Sequence, residues 1–184
     1  MVNKAYSAQV EIPQGITVDL AVNTIKIKGS KGEISRKFLS PRITIVKDGN
    51  SIIFKSTSNK FSQVDKMLIN TFKAHIKNMF NGVNKGYTAK LKICAGHFPM
   101  NVSVDGNNLI VKNFLGEKVP RKTSTMEGVK IKVEGEIIVV SGLDKEKVGQ
   151  TAARIEQLTR ITNKDRRIFQ DGCFIISKPG DEDE

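Results

Sequence analysis

A glycine-centred hairpin occurs twice in this chain at a fixed offset. Ile43-Thr44-Ile45-Val46-Lys47-Asp48-Gly49-Asn50-Ser51-Ile52-Ile53-Phe54 reappears as Val129-Lys130-Ile131-Lys132-Val133-Glu134-Gly135-Glu136-Ile137-Ile138-Val139-Val140, which places Asp48-Gly49 and Glu134-Gly135 86 residues apart. The same offset relates Ile12-Pro13 to Phe98-Pro99 and Asp19 to Asp105, while Gly32-Glu33 and Gly116-Glu117 pair at 84, as a two-residue deletion produces. Stacking repeats have periods of roughly 20 to 50 residues, so a copy this long is expected to be a small domain with its own core. The 184 residues therefore read as two domains, 1–86 and 87–184. Each is long enough to bury a core without disulfide or metal staples.

Within each copy the hydrophobic period changes once. Val10-Glu11-Ile12 and Ile16-Thr17-Val18-Asp19-Leu20 alternate around Pro13, and Thr24 to Lys28 and Glu33 to Phe38 alternate around Gly29 to Gly32. Each stretch reads as a half-buried strand of a hairpin with its lysines outward. Val64, Leu68, Phe72, Ile76, Met79 and Val83 then recur at steps of four or three, the stripe of an amphipathic helix. Ser62 and Asp65 form a capping-box start, and Asn81-Gly82 a stop. The second helix reads from Asp144 to about Arg160, with Val148, Ala152, Ile155 and Leu158 inward. The fold class is α+β: two tandem copies of a small antiparallel sheet with one packed helix each. Tyr87 to Cys94 follows Gly82 and Gly86 closely, which leaves little room for a linker. Ile161 to Lys178 has no counterpart in the first copy, and its run Cys173-Phe174-Ile175-Ile176 is long enough for a last strand. Asp181-Glu182-Asp183-Glu184 has nothing to bury and reads as a disordered tail.

The formal net charge of +11 points to a polyanionic partner. Residues 1–86 hold 14 Lys and Arg against 5 Asp and Glu, and residues 87–184 hold 16 against 14 with the acidic tail counted, so both folded parts are basic. That distribution is the footprint of nucleic-acid binding. Membrane phospholipid attracts the same charge, but no basic amphipathic helix, lipidation signal, leader or apolar run of about 18 residues is visible to hold the chain there. Two cysteines, Cys94 and Cys173, are too few for a disulfide framework and fit a reducing compartment.

Cys94-Ala95-Gly96-His97 resembles half a zinc site, yet only Cys173 and His75 remain to complete four ligands; a buried Cys94 and a strand-edge His97 are the ordinary reading. No metal or cofactor is expected. Gly29-Ser30-Lys31-Gly32 matches the G-x-x-G of KH domains, but both its flanks read as strands, which leaves a basic hairpin tip near phosphate or a plain turn. No dinucleotide, Walker, nucleophile-elbow or zincin pattern is present, so catalysis has no visible apparatus. The segment Asn163-Lys164-Asp165-Arg166-Arg167-Ile168-Phe169-Gln170-Asp171-Gly172 differs in kind. It gathers three cations and a ring where the duplication requires none of them. Guanidinium forks bind phosphate and stack on bases, so it is a candidate RNA contact, against the alternative of a solvated turn. Arg121-Lys122 after Pro120 is a second cluster, and Lys130 and Lys132 read first as a solvent-facing strand edge.

Asn113-Phe114-Leu115-Gly116-Glu117-Lys118, the helix start Asp144 to Glu156, His97-Phe98-Pro99 and Asn163-Lys164-Asp165 to Asp171-Gly172 together resemble the universal large-subunit ribosomal protein six family, called large-subunit protein nine in eukaryotes. The likeness covers nearly the whole chain. It is of the eukaryotic and archaeal type, without the tyrosine- and glycine-rich tail usual in bacterial members. The resemblance implies a non-enzymatic constituent of the cytoplasmic ribosome, assembled in the nucleolus if the source is eukaryotic. It further implies binding to large-subunit rRNA near its 3′ end, beside the sarcin-ricin loop and the stalk base where translational GTPases dock, with neighbouring large-subunit proteins as partners. Neither a membrane nor a small-molecule substrate is implied. Carried onto matching positions, the rRNA contacts are Arg121, Lys122, Lys164, Arg166 and Arg167. Eukaryotic members often carry tryptophan before the first helix; this chain has Asn59-Lys60-Phe61 and no tryptophan, which leaves Phe61 to fill that space.

Overall fold

The computed structural model describes residues 7–21, 24–57 and 62–181; Asn59-Lys60-Phe61 and most of the acidic tail lie outside them. The chain divides into two compact units, Met1–Lys85 and Gly86–Glu184. The first holds β1 (Ser7–Glu11), β2 (Thr17–Ala21), β3 (Thr24–Lys28), β4 (Glu33–Lys37), β5 (Ile43–Asp48), β6 (Ser51–Ser56) and α1 (Gln63–Asn84). The second holds β7 (Tyr87–Cys94), β8 (Asn101–Asp105), β9 (Asn108–Lys112), β10 (Arg121–Ser124), β11 (Val129–Glu134), β12 (Ile137–Gly142), α2 (Lys145–Leu158) and β13 (Gly172–Ser177).

Among the described residues each unit contains two antiparallel sheets. The first has the strand orders β1-β6-β5 and β2-β3-β4; the second has β11-β12-β7-β13 and β10-β9-β8. The duplication is thus visible as topology, with β13 laid along the edge of β7 that its counterpart β1 leaves open. The hairpin expected across Pro13 does not form. β1 pairs with β6 and β2 with β3, so the two strands belong to different sheets. Alternation fixes which face of a strand is buried but not which strand it joins. Pro13 has no N–H to continue a ladder, and Gly15, at φ +82°, turns the chain from one sheet to the other.

The offset of 84 marks β2 and β3, in which Ala21 faces Thr24 as Asp105 faces Asn108; β4 and its counterpart β10 stand 87 apart, since Thr24 faces Lys37 and Asn108 faces Ser124, so Gly32-Glu33 and Gly116-Glu117 are not structural equivalents. Asp19 instead faces Lys26 in mid-strand, so its match with Asp105 is not a structural equivalence.

α1 begins with the expected capping box: Ser62 Oγ accepts from the Asp65 N–H at 3.3 Å, and the Asp65 carboxylate accepts from the Ser62 N–H at 3.0 Å. Its buried side is Ile69, Ile76, Met79, Phe80 and Val83, with Leu68 and Phe72 partly buried, while Val64 is 47% exposed. Steps of four drift about 40° per step on a 3.6-residue helix, and that drift carries Val64 off the face which Ile69, Ile76 and Val83 hold at steps of seven. Asp65 is itself buried, its second oxygen 3.8 Å from the Arg42 guanidinium.

Opposite α1 lie Ile25, Ile27, Ile52 and Phe54, each at most 2% exposed; opposite α2 lie Leu91, Ile138 and Val140. Burying a side chain of this kind stabilises by about 1.5 to 3 kcal/mol. The Gly29–Gly32 tip docks on the end of α1: Lys31 N–H donates to the Val83 carbonyl at 3.0 Å, Ser30 Oγ to that of Asn84 at 3.3 Å, and the Lys31 ammonium to that of Lys85. A Cβ on Gly29 would stand 2.8 Å from a Val83 methyl, so only glycine permits this approach. Among the described residues no helix is long and apolar enough to cross a membrane.

Candidate nucleic-acid interface

Where β7 ends, the loop Ala95 to Met100 is tied down by one buried carboxylate from the non-repeated segment. Asp171 accepts from the backbone N–H groups of Gly96 and His97, the latter at 2.9 Å, and its other oxygen lies 2.6 Å from His97 Nδ1. Burial pushes the Asp171 carboxyl upward, but hydrogen bonds from the His97 backbone and ring and from the Gly96 backbone outweigh it and hold the group below its ordinary range. The His97 ring in turn stacks on Phe169 with centroids 4.7 Å apart, and the Lys164 ammonium sits 4.7 Å from the Phe169 centroid.

The cationic segment is folded on itself as tightly. The Asp165 carbonyl accepts from Ile168 and Phe169, and its carboxylate takes the Arg167 N–H at 2.9 Å and the Arg167 guanidinium at 2.8 Å. Those hydrogen bonds hold the Asp165 pKa down and the Arg167 pKa up. The result is a set turn that leaves Lys164, Arg166 and Arg167 exposed, the Arg167 side chain to 90%. Below it opens a groove of about 980 Å³, lined among others by Cys94, His97, Arg160, Arg166, Phe169 and Phe174.

Arg121 behaves differently from the other four candidates. Its Nε and Nη2 fork onto Glu117 at 2.8 and 2.6 Å, its Nη1 donates to the Leu158 carbonyl at 2.7 Å, and its guanidinium lies 4.3 Å from the Phe114 centroid. All three nitrogens are engaged within the unit. The fork, with the nearby positive charge, outweighs partial burial and lowers the Glu117 pKa. Lys122, the next residue of β10, is exposed and by strand alternation faces the other way. The structure thus gathers Lys164, Arg166 and Arg167 in one turn, fastens Arg121 to the end of α2, and sets Lys122 on the opposite face of β10.

The framework beneath these cations was the part that sequence reasoning missed. Asn113 and Leu115 adopt left-handed backbone at φ +59° and +49°, which asparagine tolerates and which costs on the order of 1 to 2 kcal/mol at Leu115. That turn buries Phe114 under Arg121, while Asn113 Nδ2 donates to the Pro99 carbonyl at 2.9 Å. Asp171-Gly172 directly after the cationic run and the run Asn113 to Lys118 were visible as local patterns, but neither shows by itself what it packs against. Among the described residues no group of His, Cys, Asp and Glu assembles to hold a metal ion. Cys94 is partly exposed at the groove, whereas burial pushes the Cys173 thiol up to about 11.

One protein-family model, described as ribosomal protein L6, matches residues 12–86 and again 98–172. Large ribosomal subunit protein uL6 of Methanosarcina mazei is 44% identical over 95% of this chain and 98% of its own length. Its counterpart of the same name from Methanococcus vannielii is 42% identical over 94% and 93%.

Proposed function

The chain belongs to the ribosomal protein L6 family, a structural constituent of the large ribosomal subunit and not an enzyme, and from that premise we propose that it is seated on large-subunit rRNA near the sarcin-ricin loop and the stalk base, where it supports the docking region of translation factors. Its protein neighbours are then other large-subunit proteins of that region. The family likeness carries the location. The observation that carries the contact is the set turn presenting Lys164, Arg166 and Arg167. Lys164 over Phe169 and Arg167 on Asp165 are already placed and lose little conformational entropy on meeting phosphate, so more of each charge-assisted hydrogen bond appears as affinity, and Arg166 projects from the same turn. Lys122 extends the same role to the other face of β10, while Arg121 serves it by fastening β10 to the end of α2, from which the chain runs on into the turn.

Replacing Arg166 and Arg167 together with Glu is expected to weaken binding to large-subunit rRNA by several kcal/mol, since each charged contact contributes roughly 1.5 to 3 and the new carboxylates repel phosphate. Incorporation into subunits, followed by gradient sedimentation, should fall with it. Lys55→Glu, on the exposed face of β6, is the matched control. Wild-type incorporation of the double variant at unchanged thermal stability would withdraw the contact assignment.

A further inference from the structure

The four-stranded sheet of the second unit is covered by α2 on one face only, where Leu91, Ile138 and Val140 meet Val148 and Ile155. Cross-strand register defines what the open face presents. One row runs Glu134, Ile137, Lys92, Phe174; the next contains Lys132, Val139 and Lys90; a third contains Lys130, Ser141 and Thr88. Lys92, Lys130 and Lys132 are exposed and Lys90 partly so, with Phe174 44%, Ile176 58% and Ile137 39% exposed among them.

The duplication supplies the comparison. In the first unit the equivalent rows are Gln9, Ile53, Val46; Ser7, Lys55, Thr44; and Glu11, Ser51, Asp48. The four lysines therefore stand where the first copy has Gln9, Glu11, Thr44 and Val46. One lysine with two carboxylates supports the same topology there, so folding does not call for the second copy's charge. Alternate residues of a strand lie about 7 Å apart and strands about 4.8 Å apart, which puts each lysine about 7 Å from the other on its strand and Lys90 about 10 Å from Lys132 across β12. Within a Debye length they repel, and a polyanion relieves that repulsion. Phe174 and Ile176 come from β13, a strand with no counterpart among the described residues of the first unit, and Phe174 also lines the groove under Arg166. The face is therefore continuous with the cationic turn.

We infer that this open face is a second RNA-binding surface, with Lys90, Lys92, Lys130 and Lys132 on the backbone and Phe174 as a platform for an unpaired base. A base stacks on any exposed ring, and a sheet that displays rings between cations suits a single-stranded stretch of rRNA better than a rigid duplex. The inference rests on the rRNA reading above and extends it to a separate surface.

The test uses the full chain and protein-free large-subunit rRNA, with affinity measured across a salt series. Lys92→Glu with Lys132→Glu should weaken binding at least tenfold and reduce the slope of log affinity against log salt by about 1.4 to 1.8, at 0.7 to 0.9 for each phosphate no longer neutralised. Phe174→Ala should weaken it about fivefold or more without changing that slope. Arg substitutions at 92 and 132 should restore binding, and Gln substitutions are read instead if the Glu pair lowers thermal stability. Wild-type affinity and slope in the sheet-face variants, beside a weakened Arg166→Glu/Arg167→Glu protein, would overturn this inference alone. Wild-type behaviour of both sets would overturn the rRNA reading as well. Normal binding to bare rRNA combined with failure to join subunits would assign the face to an acidic protein neighbour and overturn the RNA assignment.

Discussion

Asp171 shows how one buried carboxylate sets a surface. It is 3% exposed and fastens the loop after β7 to the segment before β13 through Gly96 and His97. Its folded pKa is depressed, so the stability it contributes is complete above the ordinary carboxylate value and is lost as pH falls through the folded value. Unfolding free energy measured from pH 7 down to pH 2 should show that loss below about pH 4. Asp171→Asn should flatten this acid limb and cost about 1.5 to 3 kcal/mol at neutral pH, because hydrogen bonds to a charged acceptor weaken and one is left with the wrong partner. The composition of the segment announced its cations, but not the carboxylate beneath them. Attraction between residues 75 positions apart leaves no local periodicity to read.

At the scale of elements, both helices end on a cation that comes from the sheet of the second, third and fourth strands of the unit, β2-β3-β4 in the first and β8-β9-β10 in the second. Lys31 reaches the last carbonyls of α1 from the β3–β4 tip, and Arg121 reaches the Leu158 carbonyl at the end of α2 from β10. Neither helix has a basic residue in its own last turn. A cation there neutralises the negative end of the helix and satisfies carbonyls with no intrahelical donor. Arg121→Lys should cost about 1 to 3 kcal/mol in thermal or denaturant unfolding, mainly through the weakened carbonyl hydrogen bond and the loss of planar packing on Phe114, since its fork to half-exposed Glu117 is screened by water. Titration should then find the Glu117 pKa closer to its ordinary range. The strands around Gly49 and Gly135, the capping box at Ser62 and the last strand at Cys173 were legible because each is a local pattern. The separation of β1 from β2, and the seven-residue beat of Ile69, Ile76 and Val83, were not. The first depends on a partner more than 40 residues away, and the second was masked by Val64, an apolar residue left on the exposed side.

For the whole molecule, each unit has its own buried cluster, from Ala8 to Val83 in the first and from Tyr87 to Cys173 in the second. A fragment beginning at Gly86 should therefore unfold cooperatively by circular dichroism and retain most of the affinity for large-subunit rRNA. The fragment ending at Lys85 should bind weakly despite its greater net charge; the reverse ranking would mean that bulk charge outweighs placement. The position of β13 also bears on the order in which the chain is made. β7 is the first strand of its unit to leave the ribosome that synthesises it, yet it lies between β12 and β13, the last two strands to follow. At 5 to 20 residues per second, about 4 to 16 seconds pass between the completion of β7 and the arrival of β13. For that interval the backbone of β7 has an open edge on the side that β13 will close, with Leu91 and Ile93 unburied beside it, and that edge is a template for pairing with another nascent chain. Among the described residues the corresponding edge of β1 in the first unit receives no later strand, so this wait belongs to the second unit, where its length is set by the arrival of the six residues of the final strand.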